Sequence, residues 1–226
     1  MATATGQESG STTTLMRFDN PWFFPEFEKI DPEYGLISRP FYDIDDGDHW
    51  CLFGEITDVS LPIRVRLVVR DRENQSFVVA FYPDNSDRPK LNSLARKLKV
   101  GYTIAIVYPR QHQFMDGTEG VRVEDLHTCH VIAAKLEDVF SINAGLCNYT
   151  QKLCDLKNCH SCGKEDKKLL KCGGCGFYYY CSTDCQKTAW DSKGHKKACR
   201  LLKEPNLKAL LNMGEATADH PVRFVV

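Results

Sequence analysis

The chain has 226 residues, 42% hydrophobic and 26% charged, with 29 lysines and arginines against 30 aspartates and glutamates. That composition excludes an intrinsically disordered chain and leaves room for one or two domains of roughly 100 residues each. A net charge of −1 makes no whole-protein case for nucleic acid or membrane. No apolar run approaches the roughly 20 residues of a membrane span, and the first fifteen residues show neither the basic start nor the apolar segment of a secretory signal.

In chain order, residues 1–14 are small, polar and low in complexity, which predicts a disordered tail over 1–20. Trp22, Phe23, Phe24 and Phe27 form an aromatic cluster expected to dock on the domain that begins after a short acidic stretch at Asp43, Asp45, Asp46 and Asp48. Strands are predicted at Phe53–Val59, at Ile63–Val69, where Val65, Leu67 and Val69 alternate with Arg64 and Arg66, and at Phe77–Tyr82. Leu91, Leu94 and Leu98 keep helical spacing over Leu91–Lys99, and Gly101 stands at the C-cap. Tyr102–Tyr108, Val121–Val123 after an Asp116-Gly117 turn, and Cys129–Ile132 complete the strands. Three strands, a helix and two strands resemble a five-stranded OB-type barrel, as do Gly54, the Asp71–Ser76 hairpin turn and Leu98-x-x-Gly101. The expected fold is therefore mixed but mainly β, with residues 21–140 an OB-like domain carrying an N-terminal extension.

Composition then changes. Residues 1–150 carry 15 basic and 22 acidic side chains, whereas residues 151–226 carry 14 and 8. A linker is expected over 141–158, with Gly145 and Asn148 in the joint.

The chain contains 11 cysteines, an odd number, and no export signal, so a disulfide framework is not expected and a reducing, intracellular setting is, nucleus or cytoplasm. Seven of them fall between Cys159 and Cys199 in the order Cys159-x2-Cys162-x9-Cys172-x2-Cys175-x5-Cys181-x3-Cys185-x9-His195-x3-Cys199. Eight soft or borderline donors supply two closed tetrahedral sites, and zinc is the metal such sets hold. Cys181 and Cys185 lie four apart, as do His195 and Cys199, a spacing that brings each pair to one face of a helical turn. A run of 41 polar, lysine-rich residues cannot bury a sufficient core of its own, which argues for metal rather than buried free thiols.

Six cysteines, then histidine, then cysteine, with Tyr180-Cys181-Ser182-x2-Cys185-Gln186-x3-Trp190-x4-His195-Lys196-x2-Cys199, resemble the MYND-type zinc finger. RING and PHD fingers place their histidine earlier. The resemblance implies interleaved ligation, one zinc on Cys159, Cys162, Cys181 and Cys185 and the other on Cys172, Cys175, His195 and Cys199; spacing alone also allows sequential pairing. It further implies a protein-interaction module for proline-containing peptides, often Pro-x-Leu-x-Pro, with Gln186 hydrogen-bonding the peptide and Trp190 walling its groove. Each residue also has a purely structural reading: Trp190 as packing in the small core, Gln186 as the far end of a capping box with Thr183. Gly173 departs from relatives that carry a polar contact residue there.

Eight ligands for two metals leave no open catalytic position, and no nucleophile-elbow, Walker A, Rossmann or deaminase pattern occurs, so a non-enzyme is expected. The alternative function is single-stranded nucleic-acid binding by the barrel, with Arg64, Arg66, Arg70 and Arg72 on one face and Phe77 or Tyr82 stacking. Against it stands a solvated face paired with Glu55, Asp71 or Glu73 in a net-acidic domain. The finger lysines Lys164, Lys167, Lys168, Lys171, Lys193, Lys196 and Lys197 suggest a second patch. Seven thiolates and two zinc dications, however, bring the C-terminal region to about +3. Cys147 and Cys154, just before the first ligand, are expected as small hydrophobes, with spare or substitute thiols as the alternative, and Cys51 and Cys129 carry no assigned role. His112, His127 and His130 lack a second ligand at zinc spacing, and a short amphipathic helix is predicted around Leu207–Leu211, in a closing segment 200–226.

Overall fold

Apolar strand residues without alternation mark a strand buried on both faces. β1 (Cys51–Ser60) opens with four of them, all buried, and all five residues of β4 (Thr103–Val107) are buried. The computed structural model describes residues 15–33, 49–61, 64–150, 157–166 and 168–226. Residues 1–14, the acidic stretch at Asp43–Asp48, Ile63, Cys154 and Lys167 lie outside the described residues.

β1 pairs antiparallel with β2 (Arg66–Arg70) and with β4, and β2 pairs antiparallel with β3 (Ser76–Phe81). α1 (Arg88–Ala95) follows β3, shorter than its predicted span, with Pro89 in its first turn. β5 (Gln111–Gln113) and β6 (Glu119–Val123) form a hairpin across the Asp116-Gly117 turn. β6 then runs parallel to β3, while β7 (Cys129–Ile132) runs antiparallel to β4. A single 3-10 turn, Leu126–Thr128, separates β6 from β7, so the two act as one broken fifth strand that closes the sheet on both sides. That is the OB-type barrel. β5 was not predicted, because Gln111-His112-Gln113 carries no apolar pattern.

Leu52, Ile56, Leu67, Val69, Ile104 and Ile106 fill the barrel interior. The opposite faces of the same strands, through Cys51, Phe53, Ala105 and Val107, belong to a second core shared with Tyr180, Cys199, Leu210 and Phe224. Two faces of one sheet thus serve two cores, and the second joins barrel to finger.

α2 (Leu136–Thr150) lies in that second core. Its first ten residues beyond 140 were expected in the 141–158 linker. Leu136, Val139, Asn143, Leu146 and Cys147 recur on one helical face, all buried, and tolerate Gly145 within the helix at a cost of roughly 1 kcal/mol. Residues 15–20, expected in the disordered tail, are also ordered. The Asn143 side chain accepts from the Phe18 amide at 2.8 Å and donates to the Met16 carbonyl at 2.9 Å, and the Met16 amide donates to Leu211 at 2.7 Å. The aromatic cluster docks as expected through Phe24 and Phe27, whereas Trp22 stays 45% exposed. Buried Asp71 accepts from the Phe27 amide at 3.0 Å and fixes that docking.

Gly120 sits where β6 meets β3, and a Cβ there would stand 2.0 Å from the Val78 carbonyl oxygen. Gly120→Ala is expected to wedge the seam open and cost about 3 kcal/mol, or roughly 6–12 °C in Tm. Gly117, at φ +81 with open space around it, should lose only roughly 1–2 kcal/mol on the same change. Thermal unfolding followed by circular dichroism checks the pair.

Candidate metal centre

The finger is built from short pieces. β8 (Lys157–Asn158) pairs with β9 (Glu165–Asp166), and β10 (Leu170–Lys171) pairs with β11 (Tyr179–Tyr180). Two helices come next, α3 (Thr183–Ser192) and α4 (His195–Leu201), and then α5 (Pro205–Leu211), the expected amphipathic helix, with Leu207, Leu210 and Leu211 in the shared core.

Each Cys-x-x-Cys pair forms the same tight knuckle. The Gly163 amide donates to the Cys159 carbonyl and the Gly176 amide to the Cys172 carbonyl, both at 2.9 Å, and both glycines hold the left-handed φ, +77° and +78°, that the turn requires. The knuckle amides point at sulfur. Burial by itself pushes the Cys159 thiol up, but the amides of Cys162, Cys181 and Ser161 overcome it and bring the group down to about 6. Cys172 is lowered in the same way, burial opposing and the amides of Cys175 and Gly174 prevailing. In each site one thiol is therefore drawn toward thiolate, while burial raises Cys175 and Cys199 and the hydrogen bonds to Cys185 and Cys162 raise Cys181.

The eight predicted ligands gather into two clusters, Cys159 with Cys162, Cys181 and Cys185, and Cys172 with Cys175, His195 and Cys199; within each the donor atoms lie within 4.8 Å of one another. Ligation is interleaved. Sulfur–sulfur separations are 3.6 Å for Cys162–Cys181, 3.5 Å for Cys181–Cys185 and 3.9 Å for Cys172–Cys199. A tetrahedron with zinc–sulfur bonds of about 2.3 Å has edges of about 3.8 Å. Cys175 Sγ lies 3.6 Å from His195 Nε2, against about 3.6 Å for the mixed sulfur–nitrogen edge. The donor sets fit two zinc ions, held as closed four-ligand sites.

The surrounding groups fix the imidazole. Nδ1 of His195 meets the Tyr180 hydroxyl at 2.7 Å, the outer partner that a ligating histidine needs. Burial lowers the pKa of His195 and so favours the neutral ring that binds metal. Tyr178 stacks on His195 at 4.2 Å and Trp190 meets it edge-on at 5.3 Å. Spacing did not single out Tyr180, although it stands next to the ligand Cys181. Nor did spacing single out His160, whose amide donates to Tyr179 O at 2.8 Å and whose Nδ1 accepts from Tyr179 N at 3.1 Å. The His160 ring lies between Tyr149 of α2 and Tyr178, and burial brings it down to about 4. It stays neutral and ties the finger to α2.

The capping-box reading of Gln186 is corrected. Ser182, in extended conformation, is the N-cap of α3 and accepts from the Cys185 amide at 3.1 Å; Thr183 is already helical. The Gln186 side chain is half-buried and bonds to nothing among the described residues. Trp190, one turn on, is 38% exposed. Both structural and surface roles are thus open to Trp190, while Gln186 is released for the surface.

Most of the barrel arginines are occupied. Arg66 pairs with Asp116 at 2.9 Å, Arg70 with Glu55 at 3.6 Å, and Arg72 with Glu26. Arg64 instead lies 3.6 Å above the Tyr82 ring. Among the described residues no helix is long and apolar enough to cross a membrane.

Two interleaved four-ligand sites on two small hairpins and two short helices define a cross-braced zinc finger. Its kind is the MYND finger: the family model of that name matches residues 159–199. Mouse histone-lysine N-methyltransferase Smyd1 is 46% identical over 46 residues, 20% of this chain and 9% of the relative. A SET and MYND domain-containing protein of Dictyostelium discoideum is 51% identical over 39 residues, 17% of this chain and 7% of that protein. The chain thus spans under a tenth of the length of these relatives. Among solved structures, the S. pombe Stn1-ten1 complex shows 11% identity at a TM-score of 0.30, covering 42% of this chain and 76% of its own; the barrel assignment rests on the strand order described above.

Proposed function

We propose that this protein is a non-catalytic, intracellular zinc adaptor whose MYND finger captures short proline-containing peptides of partner proteins. One observation carries the reading: Gln186 and Trp190, four residues apart on α3, present an unused amide and an exposed indole beside the His195 site. An amide that reads a peptide backbone next to a rigid aromatic wall is the composition of a peptide groove. Four protein ligands at each zinc leave no position for a reacting water, which supports the non-catalytic role. Seven thiolates held for metal favour a reducing compartment.

Binding of fluorescent Pro-x-Leu-x-Pro peptides to the zinc-loaded chain tests the proposal. Trp190→Ala is expected to weaken binding about 30-fold, a loss of about 2 kcal/mol, with zinc content still at two per chain. Gln186→Ala should weaken it several-fold. Unchanged affinity in both variants would reject the groove.

The single-stranded nucleic-acid alternative retains the Arg64–Tyr82 contact as its support, since Arg66, Arg70 and Arg72 are ion-paired. Oligonucleotide retention at low salt that Arg64→Ala leaves unchanged would remove it.

A further inference from the structure

The hairpin β10–β11 has one used edge and one open edge. Cys172 N donates to Tyr178 O at 2.8 Å, so in this register Lys171 and Tyr179 form the pair whose backbone groups point outward. On the β11 side both Tyr179 groups are taken by His160. On the β10 side the Lys171 N–H and C=O have no partner among the described residues. An extended peptide has one edge to join, that of β10.

The two faces of that edge differ. Leu170, 50% exposed, shares a face with its cross-strand neighbour Tyr180, which is bonded to His195 under Trp190. The other face carries Tyr179 with two ammonium groups over it, Lys157 Nζ at 4.3 Å and Lys171 Nζ at 5.9 Å from the ring centre. Among the described residues neither lysine has a carboxylate within 4 Å; Asp166, across from Lys157, is drawn to Lys164 at 4.0 Å.

Side chains of an added strand alternate between the faces. We propose, resting on the peptide-binding reading above, that the partner segment carries acidic residues at the positions between its apolar anchors. Proline and leucine go to the Leu170–Trp190 face, and the intervening aspartates or glutamates go to Lys157 and Lys171. Two cationic contacts over an aromatic ring select for carboxylate and against lysine at those positions.

The test uses two synthetic peptides, Pro-Glu-Leu-Glu-Pro and Pro-Lys-Leu-Lys-Pro in a common flanking sequence, and the zinc-loaded full chain. The glutamate peptide should bind about fivefold or more tightly, with the difference shrinking as salt rises. Lys171→Glu should abolish or reverse the preference, while Lys97→Glu, exposed on the barrel just after α1, should preserve it. Equal binding of both peptides, both lost in Trp190→Ala, would overturn the acidic selection and leave the peptide groove standing. Binding of neither peptide would overturn both.

Discussion

Removing zinc is expected to unfold residues 157–211 while the barrel sheet survives. The barrel interior of Leu52, Ile56, Leu67, Val69, Ile104 and Ile106 contains no residue of the finger, and its strand ladders close on themselves. The second core depends on the finger: Cys159, Cys172, Cys175, Tyr180 and Cys199 are part of it. Metal binding of this kind contributes on the order of 10–16 kcal/mol, more than so short a segment recovers from its own apolar burial. Without zinc the finger hairpins, α3 and α4 should lose protection against hydrogen exchange outright. α2 and the outer faces of β1 and β4, which pack under the finger, should lose it in part, and the β1–β2–β3 ladder should keep it. Hydrogen exchange read by mass spectrometry after chelation checks this. Simultaneous loss over the whole chain would mean that the two cores form one cooperative unit.

Gly174→Ala should cost one zinc, while its neighbour tolerates the same change. A Cβ at Gly174 would stand 2.9 Å from Cys199 Sγ and 3.2 Å from Lys203 Cε. The lysine chain can swing away, but a sulfur held in a tetrahedral site cannot without losing its bond. A Cβ at Gly173 meets nothing within 4 Å. We expect Gly174→Ala to weaken the Cys172–Cys175–His195–Cys199 site by about 100-fold or more, so that zinc per chain falls from two to about one after mild competition with a chelator. Gly173→Ala should retain two. Zinc quantified by elemental analysis separates these outcomes, and two zincs in Gly174→Ala would show that the knuckle relaxes.

Much of this molecule was legible because the relevant chemistry is local. The eight ligands could be read from spacing, since a knuckle or a helical turn sets the distance between donors only two to four residues apart. The strands of the barrel were legible where one face alternates, as in Leu67 and Val69 against Arg66 and Arg70. α2 was obscured by Gly145 and Asn148, which suggest a joint, and its buried polar Asn143 is satisfied only by Met16 and Phe18, more than a hundred positions away. The arginine stripe could be read as a binding face because Glu26 and Asp116, which pair with Arg72 and Arg66, are distant in sequence. Ser182 displaced Thr183 as the helix cap by a single residue, a choice set by backbone conformation rather than by side-chain type.

The sequence by itself determined the donor set, the number of metal sites and the alternation that makes a barrel, because each depends on residues close together along the chain. Only the tertiary structure decided how the ligands divide between the two zincs, which barrel charges are already paired, and that finger and barrel share a core. Those outcomes depend on contacts across tens to more than a hundred residues, where chain entropy is overcome by packing that no local window contains.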